Sequence, residues 1–245
     1  MKKIILLFAL IILTSSASYS QIKIVLGPTL GYTLPTGDYS GNTSDFYTGT
    51  KYGQSSNINF GVMGKLALGP INFNLSAIYT PMSNSGVSDV THPNSTVEIK
   101  QSLFTIAVGS QFGFGVPLAP IKPYIGFDIL FSTISGSYKF QGTTGVTSSN
   151  IEMETASRTG LGIAAGVELK LMSTALDLSL RYNMINLFSK KYEGSLTNNN
   201  REEAYRFLND AKDPNYGTGS SSSHPIGSDR SITTVQLQLG VLFGF

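Results

Sequence analysis

The sequence predicts an all-β fold: a closed, eight-stranded antiparallel transmembrane β-barrel with short turns at one end, long loops at the other and one short helix in the last loop. Apolar residues alternate with small or polar ones in eight separate segments, the mark of strands with two unlike faces. The connections between those segments alternate strictly between short and long. Charged residues form only 13% of the chain, against roughly 25% in soluble domains.

The first residues stand apart from this pattern. Lys2 and Lys3 precede an apolar run from Ile4 to Leu13, and small polar residues follow to Ser20. This is the make-up of a secretory signal peptide cut near Ser20, with an apolar run too short for a membrane-spanning helix, which needs about 20 residues. Residues 1–20 are therefore set aside, and residues 21–245 are read as one barrel domain. Without the two leader lysines the chain is formally neutral, so its net charge points to no nucleic-acid partner. Cysteine is absent, which excludes disulfides, thiolate metal sites and an N-terminal lipid anchor.

In the first strand Ile22, Ile24, Leu26, Leu30, Tyr32 and Leu34 share one face. The second sets Ile58, Phe60, Val62, Leu66 and Leu68 opposite Asn57, Asn59, Gly61 and Lys65, then turns at Gly69-Pro70 into a third with Ile71, Phe73, Leu75, Ala77 and Tyr79. The fourth keeps parity through its lower half, with Phe104, Ile106, Val108, Phe112 and Phe114. The fifth carries Ile121, Ile125, Phe127, Ile129 and Phe131, and the sixth Leu161, Ile163, Ala165, Val167 and Leu169. Leu176, Leu178, Leu180 and Tyr182 mark the seventh, and Val235, Leu237, Leu239, Val241, Phe243 and Phe245 the eighth.

Short turns fall at 69–70, 115–120 and 172–174, and long loops at 35–56, 81–96, 141–154 and 188–231. An outer-membrane barrel has short periplasmic turns and long extracellular loops. In lipid an unpaired strand edge has no water to satisfy its backbone groups, so the first and last strands are expected to pair. Tyr32, Phe60, Tyr79, Phe112, Phe114, Tyr182 and Phe243, near strand ends, supply interfacial girdles.

Several stretches carry a resemblance: Gly27 to Asp38 leading into the first loop, Lys122-Pro-Tyr-Ile-Gly-Phe-Asp128, Gly166-Val-Glu-Leu-Lys170, Leu180-Arg-Tyr182 and the terminal Phe245. The chain resembles the small outer-membrane β-barrel families of diderm bacteria, the OmpA-transmembrane-domain-like, OmpX-like and PorT-like proteins. The resemblance implies an outer-membrane location, contact with outer-membrane lipids and folding by the barrel-assembly machinery, for which Val241, Phe243 and Phe245 look like the signal. It also implies a possible place in a secretion apparatus.

Chemistry-bearing residues are few. The inward parity collects Lys65, Lys122, Arg158, Lys170 and Arg181 with Asp128, Glu168 and Asp177. An eight-stranded barrel is just wide enough for side chains to fill, so Lys65, Asp128, Glu168, Asp177 and Arg181 are expected to pair across it, with Gln236 and Gln238, and to plug it. His92 and His224 both fall in predicted loops, away from any rigid wall that might build a catalytic triad or metal site. No enzyme activity and no cofactor are expected. Gly160, Gly162 and Gly166 share a strand face and do not form a dinucleotide loop. In the last loop, Asn200 to Ala211 has helical spacing, and Tyr205, Phe207 and Leu208 are its candidate contacts with an extracellular partner. The expected function is a membrane anchor with external loops for surface interaction. The alternatives are a narrow channel or transport accessory, and a soluble lipocalin-like barrel.

Overall fold

A computed structural model describes residues 23–89, 92–114, 120–143, 148–190, 208, 210 and 230–244. The elements are β1 (Lys23–Thr36), α1 (Thr43–Tyr47), β2 (Asn57–Leu68), β3 (Ile71–Asp89), β4 (His92–Gly113), β5 (Ile121–Gln141), β6 (Asn150–Leu171), β7 (Thr174–Met184) and β8 (Thr233–Gly244). Each strand pairs antiparallel with its sequence neighbours, and β1 pairs with β8 from Val25↔Gly244 to Thr36↔Thr233, closing the ring. No helix among the described residues is long and apolar enough to cross a membrane.

The outer wall carries Ile24, Leu26, Leu30, Phe60, Val62, Phe73, Leu75, Ile106, Val108, Ile125, Phe127, Leu178, Leu180 and Leu237, all exposed. The facing parity is buried and polar, with Thr29, Asn59, Asn72, Asn74, Ser76, Gln111, Asp128, Arg181 and Gln238 inside. That is the reverse of a soluble barrel, and it excludes the lipocalin-like alternative for this part of the wall. The predicted girdle aromatics all face outward, with Phe60 against Tyr79 at 5.3 Å between ring centres and Phe112 against Phe114 at 4.9 Å.

One of the predicted long loops is largely strand, and another is partly so. The span 81–96 continues β3 to Asp89 and begins β4 at His92, so His92 opens a strand and does not lie in a loop. The span 141–154 is shortened in the same way, with β6 starting at Asn150. β3, β4, β5 and β6 therefore run for 19, 22, 21 and 22 residues, whereas about 9–11 tilted residues cross a bilayer. The other four strands have 14, 12, 11 and 12 residues. One side of the barrel stands tall and the other stays low.

Along the tall strands the apolar parity inverts. On β4, Phe104, Ile106 and Val108 face out, but nearer the loop end Val97, Ile99 and Leu103 are buried inside while Glu98 and Lys100 point out. β5 changes in step, from outward Ile129 and Phe131 to inward Ile134, Tyr138 and Phe140. On β6 a bulge between Met153 and Ala156 keeps Ile151 and Met153 inside with Ala156. The switch lies just beyond the girdle level of Tyr79 and Phe104. Below it the wall is solvated by lipid and above it by water, so each stretch buries the face that its own solvent rejects.

The upper chamber is filled by the first loop. Helix α1 has a capping box, in which Asn42 Oδ1 accepts from the Asp45 N–H at 2.8 Å and Asp45 Oδ2 accepts from the Asn42 N–H at 3.2 Å. It directs Phe46 and Tyr47 against Tyr138 and Phe140, with ring centres 5.7 to 6.4 Å apart. With Tyr39, Tyr52, Met82, Ile99 and Ile232 they form one apolar cluster, hereafter the head. This helix, in the first loop, was not expected from the sequence. Of the predicted helix at 200–211 only Leu208 and Asp210 are described, and neither is helical. Tyr205, Phe207, Phe245, His224 and residues 1–20 lie outside the described residues.

Candidate functional site

Two polar clusters occupy the lumen below the head. Nearer the turn end, Lys65 is enclosed between Asp177, with which it makes a close ion pair, and Glu168 at 3.4 Å. Its ammonium lies 4.8 Å above the ring of Tyr124, whose hydroxyl donates to Asp177 Oδ1 at 2.8 Å. The Tyr124 ring fits because Gly166 faces it, where a Cβ would lie 2.6 Å from the phenol. Midway up, Arg181 Nη1 donates to Asp128 Oδ2 at 2.8 Å, and Asn74 Nδ2 donates to Asp128 Oδ1 at 2.6 Å. All five residues expected to pair are brought inside, but as two separate groups.

Other residues of the inward parity take different places. Gln238 donates to Thr29 Oγ1 at 3.1 Å, and Gln236, although in register with Arg181, makes no side-chain bond to it. Lys122 and Lys170 lie at the mouth of the turn end, where Lys122 donates to the Gly69 carbonyl at 3.1 Å. Arg158 belongs to the head.

There Arg158 grips the last loop. Its Nε and Nη2 donate to Asp210 at 2.8 and 3.2 Å, and Nη2 also donates to the Leu208 carbonyl at 2.7 Å. The Tyr52 hydroxyl donates to Asp210 as well, while the Arg230 guanidinium stacks 4.2 Å over the Tyr52 ring. Leu208, expected on the surface for a partner, is 3% exposed and belongs to the head's apolar cluster. Burial pushes the Tyr39 and Tyr52 hydroxyls well above the ordinary tyrosine range, and at Tyr52 Arg230 opposes that rise. Sequence reasoning missed Asp210, Tyr52, Tyr124 and Asn74. Asp210 is separated from Arg158 by 52 residues, and no spacing signals a contact of that kind.

Among the described residues no group of three or more His, Cys, Asp or Glu is placed to hold a metal ion. The geometry offers closure in two stages, salt-bridged below and aromatic above.

The family described as "Outer membrane protein beta-barrel domain" matches residues 4–245. The chain belongs to this family. It is an outer-membrane β-barrel, with its short turns periplasmic and its head external. No curated protein matches it significantly. Among solved structures it is similar to Neisserial surface protein A, at 16% identity and a TM-score of 0.48, covering 91% of this chain and 97% of that one. It is also similar to OprG from Pseudomonas aeruginosa, at 12% identity and a TM-score of 0.47, covering 92% and 97%. The N-terminal barrel domain of Pseudomonas aeruginosa OprF gives 12% identity and a TM-score of 0.45, covering 92% and 99%.

Proposed function

We propose that this outer-membrane barrel is a non-enzymatic anchor that carries a folded external head for surface interaction and conducts no solute. The observation behind this reading is the double closure of the lumen. The charged clusters around Lys65 and Arg181 fill the membrane level, and the aromatic head fills the external mouth. A pair buried this way contributes little net stability, yet stripping one partner costs about 3–5 kcal/mol, so the groups stay closed around each other. The surface left for a partner is the outer face of the tall wall, where Ser83, Lys100, Ser135, Ser137 and Lys139 face water above the girdle.

Export through a leader cut near Ser20, and assembly guided by Val241, Phe243 and Phe245, belong to the same reading. Val241 and Phe243 stand on the lipid-facing side of β8, the strand that closes the ring. The test is single-channel recording in planar bilayers. The anchor reading expects current at background. Steady conductance steps that vanish in Arg181→Ala would overturn it in favour of a narrow channel.

A further inference from the structure

At the periplasmic end the lumen opens into a cavity of about 450 Å3 lined by Lys23, Lys65, Lys122, Lys170, Asn72 and Glu168, among others. Lys65 is neutralised on the cavity floor by Asp177 and Glu168. Lys23, Lys122 and Lys170 make no ion pair among the described residues. Four lysines stand against the two carboxylates Asp177 and Glu168, so the opening keeps a net positive charge.

Their placement differs from that of lysines that tether a barrel to the surrounding headgroups, which belong to the outward parity. Lys23 shares the inward parity of Val25 and Thr29, Lys122 that of Tyr124 and Asp128, and Lys170 that of Glu168. Two stems are seated against glycines on the neighbouring strands. A Cβ at Gly113 would meet Lys122 Cε at 2.1 Å, and one at Gly244 would meet Lys23 Cε at 2.5 Å. Any larger residue at either position would displace a lysine from the mouth. Asn72 also lines the cavity and is buried, but its unpartnered atom is a carbonyl oxygen, an acceptor, so the attraction for an anion comes from the lysines.

Cations gathered in a cleft with low-dielectric walls concentrate anions there. The chemistry of the set narrows the class. Lysine presents a compact charge with three rotatable donors and binds phosphate as a point charge, whereas the guanidinium fork fixes carboxylate or phosphate in one bidentate geometry. All four cations of the cavity are lysines and none is arginine, which suits a tetrahedral oxyanion approached from several sides. We propose that the periplasmic mouth is a binding site for a phosphate group, either free or on a phospholipid headgroup. The inference does not depend on what the external head does.

The experiment is a pair of NMR titrations of the folded protein in maltoside micelles at fixed ionic strength. One uses inorganic phosphate and the other dibutanoyl phosphatidylglycerol, a lipid short enough to remain monomeric. Saturable shifts are expected at the amides of Lys23, Gly69, Lys170 and Gly244. The double variant Lys23→Gln/Lys170→Gln is expected to weaken binding at least tenfold while keeping its heat-modifiable gel mobility. If it does not fold, Lys170→Gln alone carries the test with at least a threefold loss. Lipid binding ten times tighter than phosphate assigns the site to a headgroup, and equal affinity assigns it to the free oxyanion. The proposal fails if neither probe gives saturable shifts at the mouth, or if the folded variant binds as the wild type does.

Discussion

Truncating Ile99 to alanine probes the boundary between the lipid-solvated barrel and the water-solvated head. Ile99 is fully buried on β4, and its Cδ1 lies 3.2 Å from where a Cβ on Gly53 would stand, so it supports the first loop directly. Removing a buried isoleucine to alanine costs about 2–5 kcal/mol, depending on how far the site collapses. The head is small and open at its edges, which favours the lower end, about 2–3 kcal/mol. At roughly 1.4 kcal/mol per tenfold, the open population of the head rises about 30- to 150-fold. Trypsin reads that population at Lys51, because cleavage tracks the equilibrium fraction open when reclosing is fast. In the closed head the chain around Lys51 is held by the Lys51 N–H on the Asp45 carbonyl at 3.3 Å and the Tyr52 N–H on the Asp38 carbonyl at 2.9 Å. Ile106, on the same strand but facing lipid, is the control: Ile106→Ala leaves no internal cavity and should change cleavage at Lys51 by less than twofold. Wild-type cleavage in Ile99→Ala, or equal acceleration in both variants, would refute the two-solvent reasoning.

Three further outcomes follow from the geometry. Lys65→Met leaves Asp177 and Glu168 buried without their cation, so the denaturation midpoint in vesicles should fall by the equivalent of about 3–5 kcal/mol; adding Asp177→Leu should recover most of the loss. Gly27→Ala would place a Cβ 1.8 Å from the Val241 carbonyl oxygen at the β1–β8 seam and should abolish the heat-modifiable band, whereas Gly240→Ala, whose nearest heavy atom is 3.4 Å away, should keep it. Tyr39 and Tyr52 are held neutral by burial, so the stability they favour is complete below the ordinary tyrosine value near 10 and is lost as pH rises beyond it; phenolate absorbance should therefore lag for these two until the head opens, and Tyr39→Phe should remove part of the lag.

Where lipid bathes the wall the fold was legible, because one rule holds from Ile24 to Phe243: the apolar face points outward. Turns such as Gly69-Pro70 carry their own signal, and the left-handed φ of +68° at Gly69 is the conformation that glycine supplies without steric cost. The upper hairpins were misread as loops because the same alternation continues there with the opposite meaning. Val97-Glu98-Ile99-Lys100 is as regular as Phe104-Thr105-Ile106-Ala107, but its apolar residues fall on the other parity. At β6 the bulge before Ala156 shifts the count once more. The charged interior was readable by residue type and not by grouping. Parity places Lys65 and Arg181 inside, but only the stagger of the closed ring decides that Asp177 meets Lys65 and Asp128 meets Arg181. Helix α1 was missed within the loop expected at 35–56, although Asn42 and Asp45, a capping pair set ahead of Phe46, carry a local signal for it. The Arg158–Asp210 clasp had no local signal at all.

β1 and β8, where the ring closes, stand opposite β4 and β5, the middle of the tall wall. The first loop leaves β1, and Arg230 to Ile232 lead into β8, so both segments join the head beside the seam. They are laced to each other over the seam itself, by the Ser231 N–H on Asp38 at 3.0 Å and the Thr36 hydroxyl on Thr233 at 2.9 Å. In the closed ring the Lys51 side chain stays exposed while the backbone around it is held on Asp45 and Asp38, so resistance to cleavage at Lys51 is expected to report that both segments are seated.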